Sequence, residues 1–372
     1  MTHRPNSRLR KAARKGGFTL IEMLIGSSLM LVVIIAALAI YSKSNKVAVD
    51  QQQYAELQHD VRTALFLVSR DLRMAGAGIP IEFNMYSLEG ADNENQGVPV
   101  TPDRLRILGN IDDPLELRIS DYNGSSANLS VDDYSFEQYP YPDAYFANKY
   151  ALVLPNPAST CRFGQIRVIT HVTHNADGSN EKLNFSPGLA PGINPPGGLS
   201  GTCVGSSDYN GGTVIFADAR EYWLDLNGVA PGLTAGVNGY IGGPGGIGVL
   251  YMTKNGVHLP LAQDIENFQF EYNGDLIQDG TMDGFQPWNI AWNGDLDLIG
   301  RIRQIRIQIL GCTATRFVSV SGRPSGGIQN YRRPAVSNTA AEAADDMRRR
   351  FLLESTSNIR NLSLTLYNTG ER

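Results

Sequence analysis

The chain has 372 residues, 42% hydrophobic and 19% charged, which is enough apolar material to bury a core in one or two domains and too much for a disordered chain. Its 39 glycines and 19 prolines predict many turns between short strands. Formal net charge is −5, but Arg4, Arg8, Arg10, Lys11, Arg14 and Lys15 all fall in the first seventeen positions; without them 26 Lys and Arg face 37 Asp and Glu, a net charge of −11. So acidic a body excludes binding driven by neutralisation of phosphates, and no nucleic-acid partner is expected.

Behind the basic stretch, Gly16-Gly17-Phe18-Thr19-Leu20-Ile21-Glu22 opens an apolar run that continues almost unbroken to Tyr41. As a helix, residues 18–41 would be roughly 36 Å long, sufficient to cross the hydrocarbon layer. The charge imbalance across that span places the N-terminus in the cytoplasm and the acidic remainder outside it. A secretory signal is one rival, since Ala37-Leu38-Ala39 offers a small-x-small cleavage site, but the run exceeds the about 7–15 apolar residues of a signal core. A plain membrane anchor is the other. Neither accounts for Glu22, a charge that costs several kcal/mol at a bilayer centre.

The segment Gly17-Phe18-Thr19-Leu20-Ile21-Glu22 resembles the processing motif of type IV prepilins and type II secretion pseudopilins. The resemblance implies cleavage after Gly17 by a membrane prepilin peptidase, methylation of the new N-terminal Phe18, and a pairing of Glu22 with the N-terminal amine of a neighbouring subunit. A glycine before the scissile bond lets the chain enter a narrow site in extended form. The same resemblance implies other minor and major pilins and an inner-membrane assembly platform as partners, and a path from the inner membrane to the pilus or cell surface.

Beyond the span, Val47, Tyr54, Leu57, Val61, Leu65, Val68, Leu72 and Ala75 recur at mostly three- and four-residue steps, so the helix is predicted to continue to Ala75, roughly 87 Å in all. Gly76-Ala77-Gly78-Ile79-Pro80 should cap and end it. The apolar stripe of its second half needs a cover, which a strand-rich region can supply. The expected fold is therefore α+β and pilin-like, a long N-terminal α-helix packed on an antiparallel β-rich C-terminal domain. It divides into a leader at 1–17, an assembly helix at 18–79 and a globular domain at 80–372. An independent coiled coil is the alternative for the stripe. Ser69-Arg70-Asp71-Leu72-Arg73-Met74-Ala75-Gly76 resembles the helix end of large minor pilins of the PilW type. Arg349-Arg350-Phe351 and Asn358-Ile359-Arg360-Asn361-Leu362 resemble their C-terminal signature.

Strands are predicted at 105–108, 115–119, 150–154, 166–172, 213–216, 222–226, 248–253, 268–272 and 302–310. A short helix is expected at 340–350 and a final strand at 361–367. Within 302–310 the alternation is clean, and its polar row of Gln304, Arg306 and Gln308 reads as a solvated sheet face or, alternatively, a subunit contact. Tyr134, Phe136, Tyr139, Tyr141, Tyr145, Phe146 and Tyr150 crowd one stretch, as buried packing or as a surface patch.

Signals for chemistry are sparse. Cys161 and Cys203 flank a loop rich in Gly, Pro and Asn, a setting for a disulfide in an oxidising compartment, against the alternative of three free or buried thiols; Cys312 reads as a small core residue. His171 and His174 would point to opposite faces of a strand and make a poor metal pair. Gly243-Pro244-Gly245-Gly246-Ile247-Gly248 satisfies G-x-G-x-x-G but precedes a strand rather than a helix, so no dinucleotide site is expected. Asp279, Thr281 and Asp283, followed by Gly284, match the first half of a calcium loop, while Ile290 stands where a bidentate Glu is required. Structural calcium is therefore a candidate cofactor only with help from Asp275, Asp295 or Asp297, and a solvated turn is the alternative. No catalysis is expected. The reading is a minor pilin that helps initiate a type IV pilus and sits near its tip; a type II secretion pseudopilin and a signal-anchored periplasmic binding protein or enzyme are the alternatives.

Overall fold

The computed structural model describes residues 17–79, 88–92, 102–112, 116–122, 127–137, 143–161, 164–186, 194, 208–226, 247–293, 295–313, 333–341 and 348–359. The chain forms two compact units, Met1–Gln53 and Tyr54–Arg372. Helix α1, Leu20–Arg73, is one continuous element that runs through the boundary. It begins two residues later and ends two earlier than the apolar periodicity predicts. Its end is set by Gly76 and Gly78, whose φ angles of 76° and 71° lie in the left-handed region that side-chain-bearing residues avoid. The Gly76 amide leaves the helical pattern to donate to the Leu108 carbonyl at 2.9 Å.

In the second unit, the strands are β1 (Leu88–Ala91), β2 (Arg104–Gly109), β3 (Glu116–Asp121), β4 (Asn128–Val131), β5 (Tyr150–Leu154), β6 (Gln165–Val168), β7 (His171–Thr173), β8 (Lys182–Asn184), β9 (Thr213–Asp225), β10 (Gly248–Lys254), β11 (Val257–Gly274), β12 (Ile302–Cys312) and β13 (Arg350–Asn358), with short helices α2 (Asp143–Phe146) and α3 (Leu296–Arg301). They form one antiparallel sheet in the order β13-β12-β11-β10-β9-β3-β4-β8-β7, with β2 and β5 also pairing β9. Strand β9 is the junction: residues 213–217 pair with β5, and residues 220–225 pair with β10.

The helix end Tyr54–Arg73 lies on the β11–β12 face. Leu57, Val61, Ala64, Val68 and Leu72 share one core with Phe268, Phe270, Ile305, Ile307 and Ile309. The approach is so close that a Cβ on Gly311 would come within 2.7 Å of the Leu57 side chain, which is why strand β12 carries a glycine there. A second core, built from Leu117, Leu129, Phe146, Val153, Leu183 and Phe216 among others, fills the β3–β8 region.

Several expectations change in detail. The predicted strands 213–216 and 222–226 are one strand, because Asp218 to Tyr222 pair with β2 and carry the ladder across the gap. The predicted strand 166–172 is split at Ile169 and Thr170. The short helix expected at 340–350 is not present among its described residues: Arg350 opens β13, drawn into the sheet by its pairing with Cys312. Strands β1, β4, β8 and β13 were not anticipated. The strand expected at 361–367 lies outside the described residues.

The polar row of β12 is neither bare nor free. Arg306 contacts Glu271 at 2.8 Å and Glu354 at 3.4 Å and sits 3.8 Å from the centre of the Phe285 ring. Gln308 donates to Glu354 at 2.7 Å, so the row is a lattice of cross-strand pairs. In the aromatic stretch, Phe136 and Phe146 are buried and Tyr134 is exposed, while Tyr139 and Tyr141 lie outside the described residues.

Candidate functional site

The N-terminal segment is positioned by its own helix start. Thr19 precedes α1 and Glu22 is its third residue. The Thr19 amide and hydroxyl donate to Glu22 Oε2 at 3.0 and 3.1 Å, and the Glu22 amide donates to Thr19 Oγ1 at 3.3 Å. This is a reciprocal capping box, which satisfies amides that a helix start otherwise leaves unpaired. Its T-x-x-E signature was present in the sequence, but the processing motif occupied the same residues and hid it. Gly17 has nothing within 4 Å of where a Cβ would stand, and Phe18 is 84% exposed.

From Leu20 to Tyr41 the helix is apolar on all sides and exposed throughout. It contains a stretch of mean hydropathy 2.7, long and apolar enough to cross a membrane. A helix apolar all round is built for lipid or for the interior of a bundle. Ser27 and Ser28 donate back to Leu24 and Ile25 carbonyls at 3.0 and 2.9 Å, so their hydroxyls need no partner outside the helix.

The two narrower signature segments turn out to fasten helix to sheet. Asp71, fully buried, accepts from Arg220 and from the Tyr222 hydroxyl; Arg220 also reaches Asp112, which takes a further contact from Lys254. Burial alone would lower the Arg220 guanidinium, but Asp71 and Asp112 raise it above its ordinary value. Burial, then Asp71, raises the Tyr222 hydroxyl well above its own. At the other end, Arg350 of β13 grips Glu266 through two contacts of 2.6 and 3.0 Å, both groups buried. Its neighbours close on the helix: the Arg349 guanidinium lies 4.2 Å from the Tyr54 ring centre, and Arg62 lies 5.6 Å from that of Phe351. Ile359 is buried, and residues 360–362 of the signature lie outside the described residues.

The Asp-rich turn after β11 is organised around backbone amides. Asp283 accepts from Leu276 and Ile277 at 2.6 and 3.1 Å, Asp279 from Thr281 at 2.8 Å, and Asp275 from Asp279 and Gly280 at 3.0 and 3.1 Å. Asp295 caps α3 and Asp297 pairs with Arg301. Cys312 is a buried thiol outside any disulfide, Cys161 is buried and disulfide-bonded, and Cys203 lies outside the described residues. So do residues 243–246 of the Gly-rich motif.

A polar group that the sequence did not announce lies beside the second core. Glu137, His174 and Glu181 each bring a ligating atom within 4.8 Å of the others. Burial, and next the Glu137 carboxyl, pushes the Glu181 carboxyl up to about 7. Three separate segments supply these residues, so no spacing in the chain could have revealed them. His171 stays apart, exposed on β7.

The family described as a prokaryotic N-terminal methylation motif matches residues 12–38. Pilin-like protein PilA3 of Thermus thermophilus is 32% identical over 88 residues, 24% of this chain and 35% of that relative, so the match spans about a third of the relative's length. Among solved structures, a type IV-like pilin from Thermus thermophilus, TTHA1219, is 9% identical at a TM-score of 0.26, over 82% of this chain and 96% of that one. With the methylation motif set at the head of an exposed apolar helix, this chain carries the N-terminal signature of prepilins and is similar over that region to a type IV pilin-like protein.

Proposed function

We propose that the chain is a minor subunit of a type IV pilus, made as a prepilin, cut after Gly17, and used to initiate the fibre and occupy its tip region. The observation that carries this reading is the methylation motif running directly into an all-round apolar helix. The helix is held in the membrane until assembly and buried among other subunits afterwards. Support for a PilW-like minor subunit comes from the 372-residue length, large for a major pilin, and from the two signature segments. In this reading the body 80–372 is periplasmic and then extracellular, the leader 1–17 stays cytoplasmic, and the partners are the prepilin peptidase, other minor and major pilins, and the inner-membrane assembly platform. The role is structural, without a catalytic step.

Peptide mass spectrometry of protein from membranes and sheared fibres tests it. The expected mature N-terminus is N-methyl-Phe18, absent from cells lacking the prepilin peptidase, and the same unreduced digest should contain a Cys161–Cys203 peptide pair. A start at Met1 or near Ile40 removes the reading in favour of an anchored or secreted protein. A methylated chain found only with a secretion apparatus converts it to a pseudopilin. The turn at Asp279, Thr281 and Asp283 is proposed to bind structural calcium, its carboxylates trading their amide contacts for the ion. Calcium should raise the melting temperature of the full chain and chelation should reverse the gain; a melting curve indifferent to both dismisses the site.

A further inference from the structure

Glu137, His174 and Glu181 come from three places that the sheet brings together. Strands β4, β8 and β7 are neighbours; Glu137 closes the turn after β4, His174 follows β7 and Glu181 precedes β8. Backbone contacts fix these segments on one another: Tyr134 donates to the Gly178 carbonyl at 2.9 Å, Val131 to that of Glu181 at 3.0 Å, and Asn180 to the Asp133 carboxylate at 3.1 Å.

Two buried atoms in this group are poorly satisfied. Glu181 is completely buried; its Oε2 accepts from the Phe136 amide at 3.0 Å, while its Oε1 meets no amide, hydroxyl or cationic donor, only the facing Glu137 carboxyl with which Glu181 shares a hydrogen bond. A buried carboxylate whose neighbour is a second carboxylate, with no cation beside either, is costly to keep charged. His174 presents Nε2 to Asp143 at 3.3 Å, and its Nδ1 is buried and unpartnered. That division, a carboxylate on one ring nitrogen and the other left open, is the arrangement that orients a metal-bound imidazole. Phe136 holds the ring in place edge-on, with centroids 5.9 Å apart.

We propose that Glu137, His174 and Glu181 form a binding site for a divalent first-row transition-metal ion, Zn²⁺ being the best match, with water completing the coordination. One imidazole with two carboxylates is a ligand set for such ions, whereas calcium and magnesium prefer oxygen alone. Ligands around a tetrahedral Zn²⁺ stand about 3.3 Å apart for bonds of about 2.0 Å. Closing from within 4.8 Å is a movement of about 1.5 Å on that bond length, and Glu137 is exposed. The ion would staple the β7–β8 hairpin to the turn after β4.

The test uses the untagged full chain in detergent, stripped of metal, titrated with Zn²⁺ by calorimetry and then with Co²⁺ for its visible absorption. The expected result is one Zn²⁺ per chain, a raised melting temperature, and Co²⁺ bands with a nitrogen–oxygen signature. The variants E137Q, at an exposed position that leaves the core untouched, and H174Q should each weaken Zn²⁺ binding at least tenfold. Lack of stoichiometric binding, or binding unchanged in both variants, overturns the site. Calcium bound as tightly by the same residues overturns the choice of ion.

Discussion

Asp71→Leu should cost about 3–5 kcal/mol of unfolding free energy, because it leaves the Arg220 guanidinium buried without its main counter-charge. Arg220 is 2% exposed, so its charge is held away from water. Asp112 would remain beside it, but Asp112 is shared with Lys254, and the Tyr222 hydroxyl would lose its acceptor as well. The double variant Asp71→Leu with Arg220→Met should recover much of the loss, since replacing a buried pair by apolar groups is far cheaper than breaking it. Urea unfolding of the full chain in detergent, followed by the fluorescence of its three tryptophans, reads both. If the single variant loses under about 1 kcal/mol, or the double variant is the worse of the two, the network is not what fastens the helix end to β9.

That pairing also shows what the chain can reveal unaided. The long helix was legible because both its halves carry strong local signals: an unbroken apolar run for one, and three- and four-residue apolar steps for the other. Strands with a strong local pattern, the continuous apolar run of β5 and the alternation of β12, were legible for the same reason. Strand β13 was not. Its sequence Phe351-Leu352-Leu353-Glu354-Ser355 is ambiguous alone, and the decisive facts are Arg350 meeting Glu266 and Glu354 meeting Gln308 and Arg306, residues more than forty positions away. β1, β4 and β8 are three or four residues long, too short for periodicity to register. Asp71 was recognised as part of a motif, but its partners Arg220 and Tyr222 lie about 150 residues on, and nothing local marks them. The methylation motif was fully legible because it is a contiguous run of residues, whereas Glu137, His174 and Glu181 exist as a group only once β4, β8 and β7 are paired.

Glu22→Gln should sharply reduce incorporation into fibres while leaving the helix start intact, and the contrast with Thr19→Val separates two roles for one side chain. In the isolated chain Glu22 closes the capping box with Thr19, and glutamine serves that box as well as glutamate does. In the proposed fibre, Glu22 must also neutralise the amine of a neighbouring Phe18 in an apolar interior, which an amide cannot do. Hydrogen bonds to a charged partner are worth about 1.5–3 kcal/mol, so the amount of Glu22→Gln subunit in sheared fibres should fall roughly ten- to hundredfold. Thr19→Val keeps the charge and removes only the cap, a loss of about 1 kcal/mol at an exposed helix end, and should enter fibres at close to the normal level. Quantitative immunoblots of sheared and cell-bound fractions, normalised to membrane levels of each variant, measure the difference. Equal losses in the two variants would assign Glu22 to the helix start alone. Normal incorporation of Glu22→Gln would remove the inter-subunit charge pair from the assembly mechanism, leaving the apolar face of residues 18–41 to set the register by packing.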